Sequence, residues 1–84
     1  MDLQIAIMKR TLRKLVNLNI WGGRHTEIKN LQKGLPSYTI GTKEYKKAIK
    51  ELINLGFLNV KPSIGEIHVG LNSHKQKEIG KDLS

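Results

Sequence analysis

Fifteen Lys and Arg against 7 Asp and Glu in 84 residues give a formal net charge of +8 and a sequence pI near 10.0, the signature of one small basic domain. With no cysteine, a disulfide framework and a cysteine zinc site are both excluded. No apolar run approaches the roughly 18 residues of a membrane span and the N-terminus lacks signal-peptide order, so a soluble, cytoplasmic protein with no membrane partner is expected.

From Leu3 to Asn19, Ile5, Met8, Leu12, Leu15 and Val16 share one arc of a helical wheel, while Arg10, Arg13, Lys14 and Asn17 share another. This predicts a first helix over 3–19 with a basic exterior. Gly22-Gly23 breaks the pattern, and Ile20 and Trp21 are expected to form a short extended piece beside a later hairpin. Ile28, Leu31 and Leu35 recur at intervals of three and four, predicting a second helix over 26–35 that Gly34 and Pro36 end and Thr26 or Asn30 caps. Ser37 to Gly41 then form a turn.

The third helix, expected over 42–55 with Thr42 as N-cap, is the most informative element. Lys43, Lys46, Lys47, Lys50 and Asn54 lie on one arc; Tyr45, Ala48, Ile49, Leu52 and Leu55 lie on the opposite, packing one. Gly56 stops it in a left-handed conformation, with Phe57 folding back on Leu52. Leu58 and Val60, then Ile67, Val69 and Leu71, alternate with polar residues or glycine, predicting two half-buried strands over 57–72 joined by a turn at Pro62-Ser63-Ile64-Gly65. Residues 73–84 form a short terminal helix carrying Ile79 and Leu83, started by Asn72 or Ser73.

The lysine face suits a helix lying in or beside the major groove with its ammonium groups near phosphates, although exposed lysines are also good helix formers. Lysine lacks the bidentate fork that reads guanine, so backbone affinity is the safer expectation than sequence discrimination. If bases are read, Ser37, Tyr38, Thr39, Thr42 and Lys43 are best placed, with half-buried packing the alternative for Tyr38. Lys61, Ser63 and His68 on the hairpin, and Arg24 and His25 after the double glycine, are candidates for phosphate contact, against the plain reading of exposed turns.

Other chemistries find little support. His25, Glu27, His68 and His74 offer no H-x₃-H spacing, and His25-Thr26-Glu27 does not converge on one helical face, so neither a metal nor a cofactor is expected. No nucleophile turn or phosphate-cradling glycine loop is present, and Trp21 reads as a core anchor rather than a base-stacking platform. The apolar face of the first helix is better matched to packing under the third than to an anionic membrane surface.

Three runs carry a resemblance: His25-Thr26 with Asn30-Leu31 and Lys33-Gly34-Leu35-Pro36; Lys46 to Ile53 with Gly56-Phe57-Leu58; and Val60-Lys61-Pro62, Gly65, His68-Val69 and Leu71-Asn72. Over about residues 20 to 72 the chain resembles small archaeal winged helix-turn-helix proteins that carry no assigned function. The resemblance implies DNA binding, with the Thr42 to Leu55 helix as reader and the hairpin as wing. The expected class is therefore α+β: a single winged helix-turn-helix domain over 1–84, with a three-helix core, a β-hairpin wing and a short terminal helix. The expected role is non-enzymatic binding of double-stranded DNA in transcription regulation or chromatin. Alternatives are a docking module facing an acidic protein through an apolar patch of Ile7, Leu18, Ile79 or Leu83, an RNA-binding protein, and a homodimer through a terminal helix.

Overall fold

The computed structural model describes residues 2–83 as an α+β domain whose helices cover a three-stranded antiparallel sheet. α1 (Leu3–Asn17) begins where Asp2 accepts a hydrogen bond from the Gln4 amide at 2.8 Å. It ends two residues earlier than expected. The Asn19 amide donates to the Val16 carbonyl and the Ile20 amide to the Leu15 carbonyl, with Asn19 at φ 57°, a paired closure that turns the chain out of the helix.

The buried arc of α1 also differs from the expected one. Ile7, Met8, Thr11, Leu12 and Leu15 are buried, Val16 is half-buried, and Ile5 is exposed. α1 is covered by α3 (Lys43–Asn54), α4 (Gln76–Leu83) and the sheet together, so its contact surface is wider than a single helix-on-helix stripe and extends to Ile7.

After Gly22-Gly23 the second helix is shorter than the predicted 26–35 at both ends: its first two residues belong to the sheet, and it stops at Gln32, with the Leu35 amide donating to the Gln32 carbonyl in a turn. β1 (Thr26–Glu27) pairs antiparallel with β3 (Glu66–Leu71), and α2 (Ile28–Gln32) follows at once. Neither predicted cap serves: Glu27 is the N-cap residue without a side-chain bond, while the Asn30 amide group donates to the Thr26 hydroxyl at 3.0 Å. The expected extended piece at Ile20-Trp21 does lie against β3. Leu71 donates to the Ile20 carbonyl at 2.8 Å, Gly22 donates to that of Leu71 at 3.0 Å, and Trp21 forms a single parallel bridge to Leu71.

A 3-10 turn over Ser37–Thr39 leads to α3, whose start is as predicted. The Thr42 hydroxyl accepts from the Tyr45 amide at 3.1 Å and donates to the Thr39 carbonyl at 2.6 Å. Tyr45, Ala48, Ile49 and Leu52 are buried, but Leu55 is 42% exposed: it is the C-cap, beyond the last turn that packs. Gly56, at φ 78°, closes the helix with its amide on the Ile53 carbonyl and that of Phe57 on the Leu52 carbonyl.

β2 (Leu58–Ser63) and β3 form a hairpin with a two-residue turn at Ile64-Gly65, shorter than the predicted four-residue one. Pro62 lies inside β2 opposite Ile67; the sheet order is β1-β3-β2, so β2 is an edge strand and the missing amide donor is tolerated. The strands are not uniformly half-buried. Leu58, Val69, Gly70 and Leu71 at the root are buried, whereas Val60, Ile67 and Ile64 are 40%, 51% and 101% exposed. The outer half of the ribbon stands clear of the core.

Asn72 accepts from the His74 amide and donates to the Gly56 carbonyl at 2.8 Å, tying a 3-10 turn (Ser73–Lys75) and α4 to the end of α3. Ile79 is fully buried against the core. An apolar docking patch of Ile7, Leu18, Ile79 and Leu83 therefore does not exist: Ile7 and Ile79 are interior, and only Leu18 is exposed. Among the described residues no helix is long and apolar enough to cross a membrane.

The core holds one unpartnered polar atom among the described residues, the Thr11 hydroxyl, on a residue 2% exposed. Exchanging it for a methyl of the same shape removes a buried group that lost its water without gaining a bond. Thr11→Val is expected to raise stability by about 1 kcal/mol, read as a higher urea midpoint. A lower midpoint would mean that the hydroxyl is engaged.

Candidate nucleic-acid interface

Lys43, Lys46, Lys47 and Lys50 are all exposed on one side of α3, at spacings of three and four, and no ion pair among the described residues neutralises them. Stability alone disfavours this pattern. Like charges three or four apart on a helix each cost about 0.2–0.5 kcal/mol, and cations near the amino end oppose the helix dipole. Glu44 and Glu51 on the same helix and the good helix propensity of lysine offset part of that cost.

The lysine face does not stand alone. A groove of about 310 Å³, almost wholly apolar, runs between α2 and α3 and is lined by Ile28, Tyr45, Lys46, Ile49, Lys50 and Ile53. A second hollow of about 360 Å³ lies between the start of α2 and the hairpin, lined by Ile28, Lys29, Ser63, Gly65 and Glu66 among others. Ile28 borders both. The two hollows adjoin at that residue, with Lys46 and Lys50 of α3 lining the first and Ser63 and Gly65 of the hairpin lining the second.

The remaining predicted site residues fall elsewhere. Ser37 and Tyr38 are exposed; Tyr38, at 77%, is not half-buried packing, and it borders a small hollow with Leu3, Ala6 and Arg10 at the start of α1. Thr42 has its hydroxyl engaged in the cap, and Thr39 is buried. Arg24 and Lys61 line a separate hollow of about 290 Å³ with His25 and Asn59, above the sheet face that carries His68. A further basic hollow of about 320 Å³, lined by Arg10, Arg13, Lys14 and Asn17, opens between α1 and the Leu31–Leu35 segment.

Reading the sequence alone missed two groups. Lys29 lines the hollow beside the hairpin because α2 starts at Ile28, a placement hidden while Thr26 and Glu27 were assigned to the helix. Glu27, Glu66 and His68 converge, with one ligand atom of each within 4.8 Å of the others. Register explains it: Glu27 is directly opposite His68, and Glu66 is two residues from His68 on the same face. The His68 ring is held from both sides, its Nε2 3.0 Å from a Glu66 carboxylate oxygen and its Nδ1 2.8 Å from the Nδ1 of His25.

No protein-family model, curated protein or solved structure matches the chain.

Proposed function

We propose that this protein is a winged helix-turn-helix that binds double-stranded DNA without catalysing a reaction, with α3 as the groove-facing helix and the β2–β3 hairpin as the wing. Support for the architecture comes from the element order, helix, strand, two helices and hairpin, with β1 added to the inner strand of that hairpin. The observation that carries the functional reading is the unneutralised lysine face of α3 lying beside two hollows that adjoin at Ile28, the second of which is lined by the hairpin. Lys43, Lys46, Lys47 and Lys50 contact phosphates, Lys29 adds to the same strip, and the hairpin end reaches the neighbouring groove. The role is regulatory or chromatin-associated.

The test is a titration of a labelled duplex at several salt concentrations, with duplex RNA and single strands as competitors. Log affinity for duplex DNA is expected to fall by about 0.9 per phosphate contact for each tenfold rise in salt. Tighter binding of either RNA form would move the reading to RNA.

A docking role has one observation in its favour. Val60, Ile64 and Ile67 expose apolar surface at the outer hairpin, which an acidic protein with an apolar centre would cover. Binding to one stoichiometric protein from nuclease-treated native extract, together with no salt-sensitive DNA affinity, would favour it.

A further inference from the structure

We propose that Glu27, Glu66 and His68 bind a divalent transition-metal ion of the zinc type, with His25 as the positioning residue for His68. Glu27 and Glu66 border the hollow between α2 and the hairpin, but neither is a phosphate-contacting residue of the DNA reading, so the site does not depend on that reading. Three side chains from two strands supply one imidazole nitrogen and two carboxylates, a donor set that suits a borderline divalent cation. An ion about 2.1 Å from each ligand holds those ligands roughly 3–3.5 Å apart. The pair His68 Nε2 and Glu66 is already at 3.0 Å, so closure of the 4.8 Å group requires mainly that the Glu27 side chain swing in by about 1 Å.

In the metal-free structure His68 Nε2 lies 3.0 Å from a Glu66 carboxylate oxygen, which only accepts, so Nε2 carries the proton there and binding the ion moves it to Nδ1. A coordinating nitrogen must carry no proton, so His68 binding through Nε2 holds its proton on Nδ1. Once the ion is bound, His25 Nδ1, at 2.8 Å, is placed to accept the Nδ1 proton and so to hold the metal-binding tautomer and the ring orientation. The two rings meet edge to face, 4.8 Å between centroids. Three protein ligands leave the ion a position for water, and the notch beside Glu27 and Glu66 gives room for it. Lys61, opposite His68 on the other side of β3, forms no ion pair with either carboxylate among the described residues; the contact recorded for Glu66 is with the His68 ring itself.

The ion joins β1, and with it the start of α2, to the outer half of β3. It also places positive charge between two carboxylates that otherwise repel each other. Its removal by a chelator is expected to lower the melting temperature.

Calorimetric titration of the full chain with Zn²⁺ in the absence of nucleic acid tests the site, alongside long-range proton–nitrogen spectra of the imidazoles. Expected are one Zn²⁺ per chain, a zinc-induced shift of His68 Nε2 with the proton moved to Nδ1, and no coordination shift at His74. Glu27→Gln and Glu66→Gln are each expected to weaken zinc binding at least tenfold. His25→Phe is expected to weaken it about 10–100-fold and to change the His68 tautomer, which a merely structural role would not. Undiminished zinc binding in the Glu27→Gln, Glu66→Gln double variant would overturn the site. So would unshifted His68 nitrogens in the wild-type protein at saturating zinc, a readout that needs no variant to fold. Either failure leaves the duplex-DNA titration unaffected.

Discussion

Changing Lys46, Lys47 and Lys50 together to glutamate is expected to lower affinity for duplex DNA by at least about a hundredfold near physiological salt, and to flatten the log–log salt dependence by about 3. Each change removes one positive and adds one negative charge, so three of them take the formal charge from +8 to +2. The loss is expected to exceed that of charge alone, because the side chains share the face proposed to meet the duplex and are replaced by groups that repel phosphate. All three are exposed and unpaired among the described residues, so the fold should survive and the circular dichroism spectrum should be unchanged. Reversal of Arg10, Arg13 and Lys14, which moves the same charge on the separate hollow beside α1, is the control. It is expected to reduce affinity far less. Equal losses from both triples would mean that long-range charge, and not the α3 surface, drives binding.

The second large effect concerns Gly70, which lies buried in β3 beneath the loop that leads from Gly22 to His25. A Cβ built there would meet the Arg24 backbone carbonyl closer than real Cβ atoms come, and a carbonyl on the main chain cannot rotate aside as a flexible side chain does. Gly70→Ala is therefore expected to cost about 1–3 kcal/mol, and Gly70→Val more. That is a large share of the roughly 5–15 kcal/mol that holds a small domain folded. Gly23→Ala, in the same loop but with open space around the new methyl, is expected to be nearly neutral. Urea midpoints of the two variants check the contrast. A Gly70→Ala protein as stable as Gly23→Ala would show that the loop shifts freely and that the close approach carries no energetic weight.

These two sites differ in how far the sequence discloses them. The α3 face was legible because every cue to it is local: the 3.6-residue period, the Thr42 cap, and a glycine at the closing position. The hairpin was legible in its pairing but not in its details. Pro62 punctuates a sequence strongly, and only the edge position of β2, a property of the whole sheet, lets it stay within a strand. β1 was hidden for the opposite reason. Two residues are too few to show a period, and Ile28, Leu31 and Leu35 behind them extended the helical pattern backwards across Thr26 and Glu27.

That one misassignment concealed most of what the site contains. While Glu27 was read as helical it had no neighbour at His68, whereas pairing of β1 with β3 sets them opposite each other from 41 positions apart. The approach of Arg24 to Gly70 arises from the same crossing of the loop over the sheet. Gly70 looked like the polar-face member of an alternating strand, and its demand for an absent side chain comes from the chain above it. Burial of Ile7 was likewise invisible, since it follows from covering α1 on several sides at once and not from the helix's own period.

The central claim is that α3 and the hairpin together hold a duplex. It is tested most directly by following backbone amide shifts of the nitrogen-labelled protein as a short DNA duplex is added at low salt. The largest changes are predicted along Lys43 to Lys50, at Ile28-Lys29 and at Ser63 to Gly65, forming one surface. Changes confined to α1 and the Leu31–Leu35 segment, with α3 and the hairpin silent at saturation, would contradict the claim.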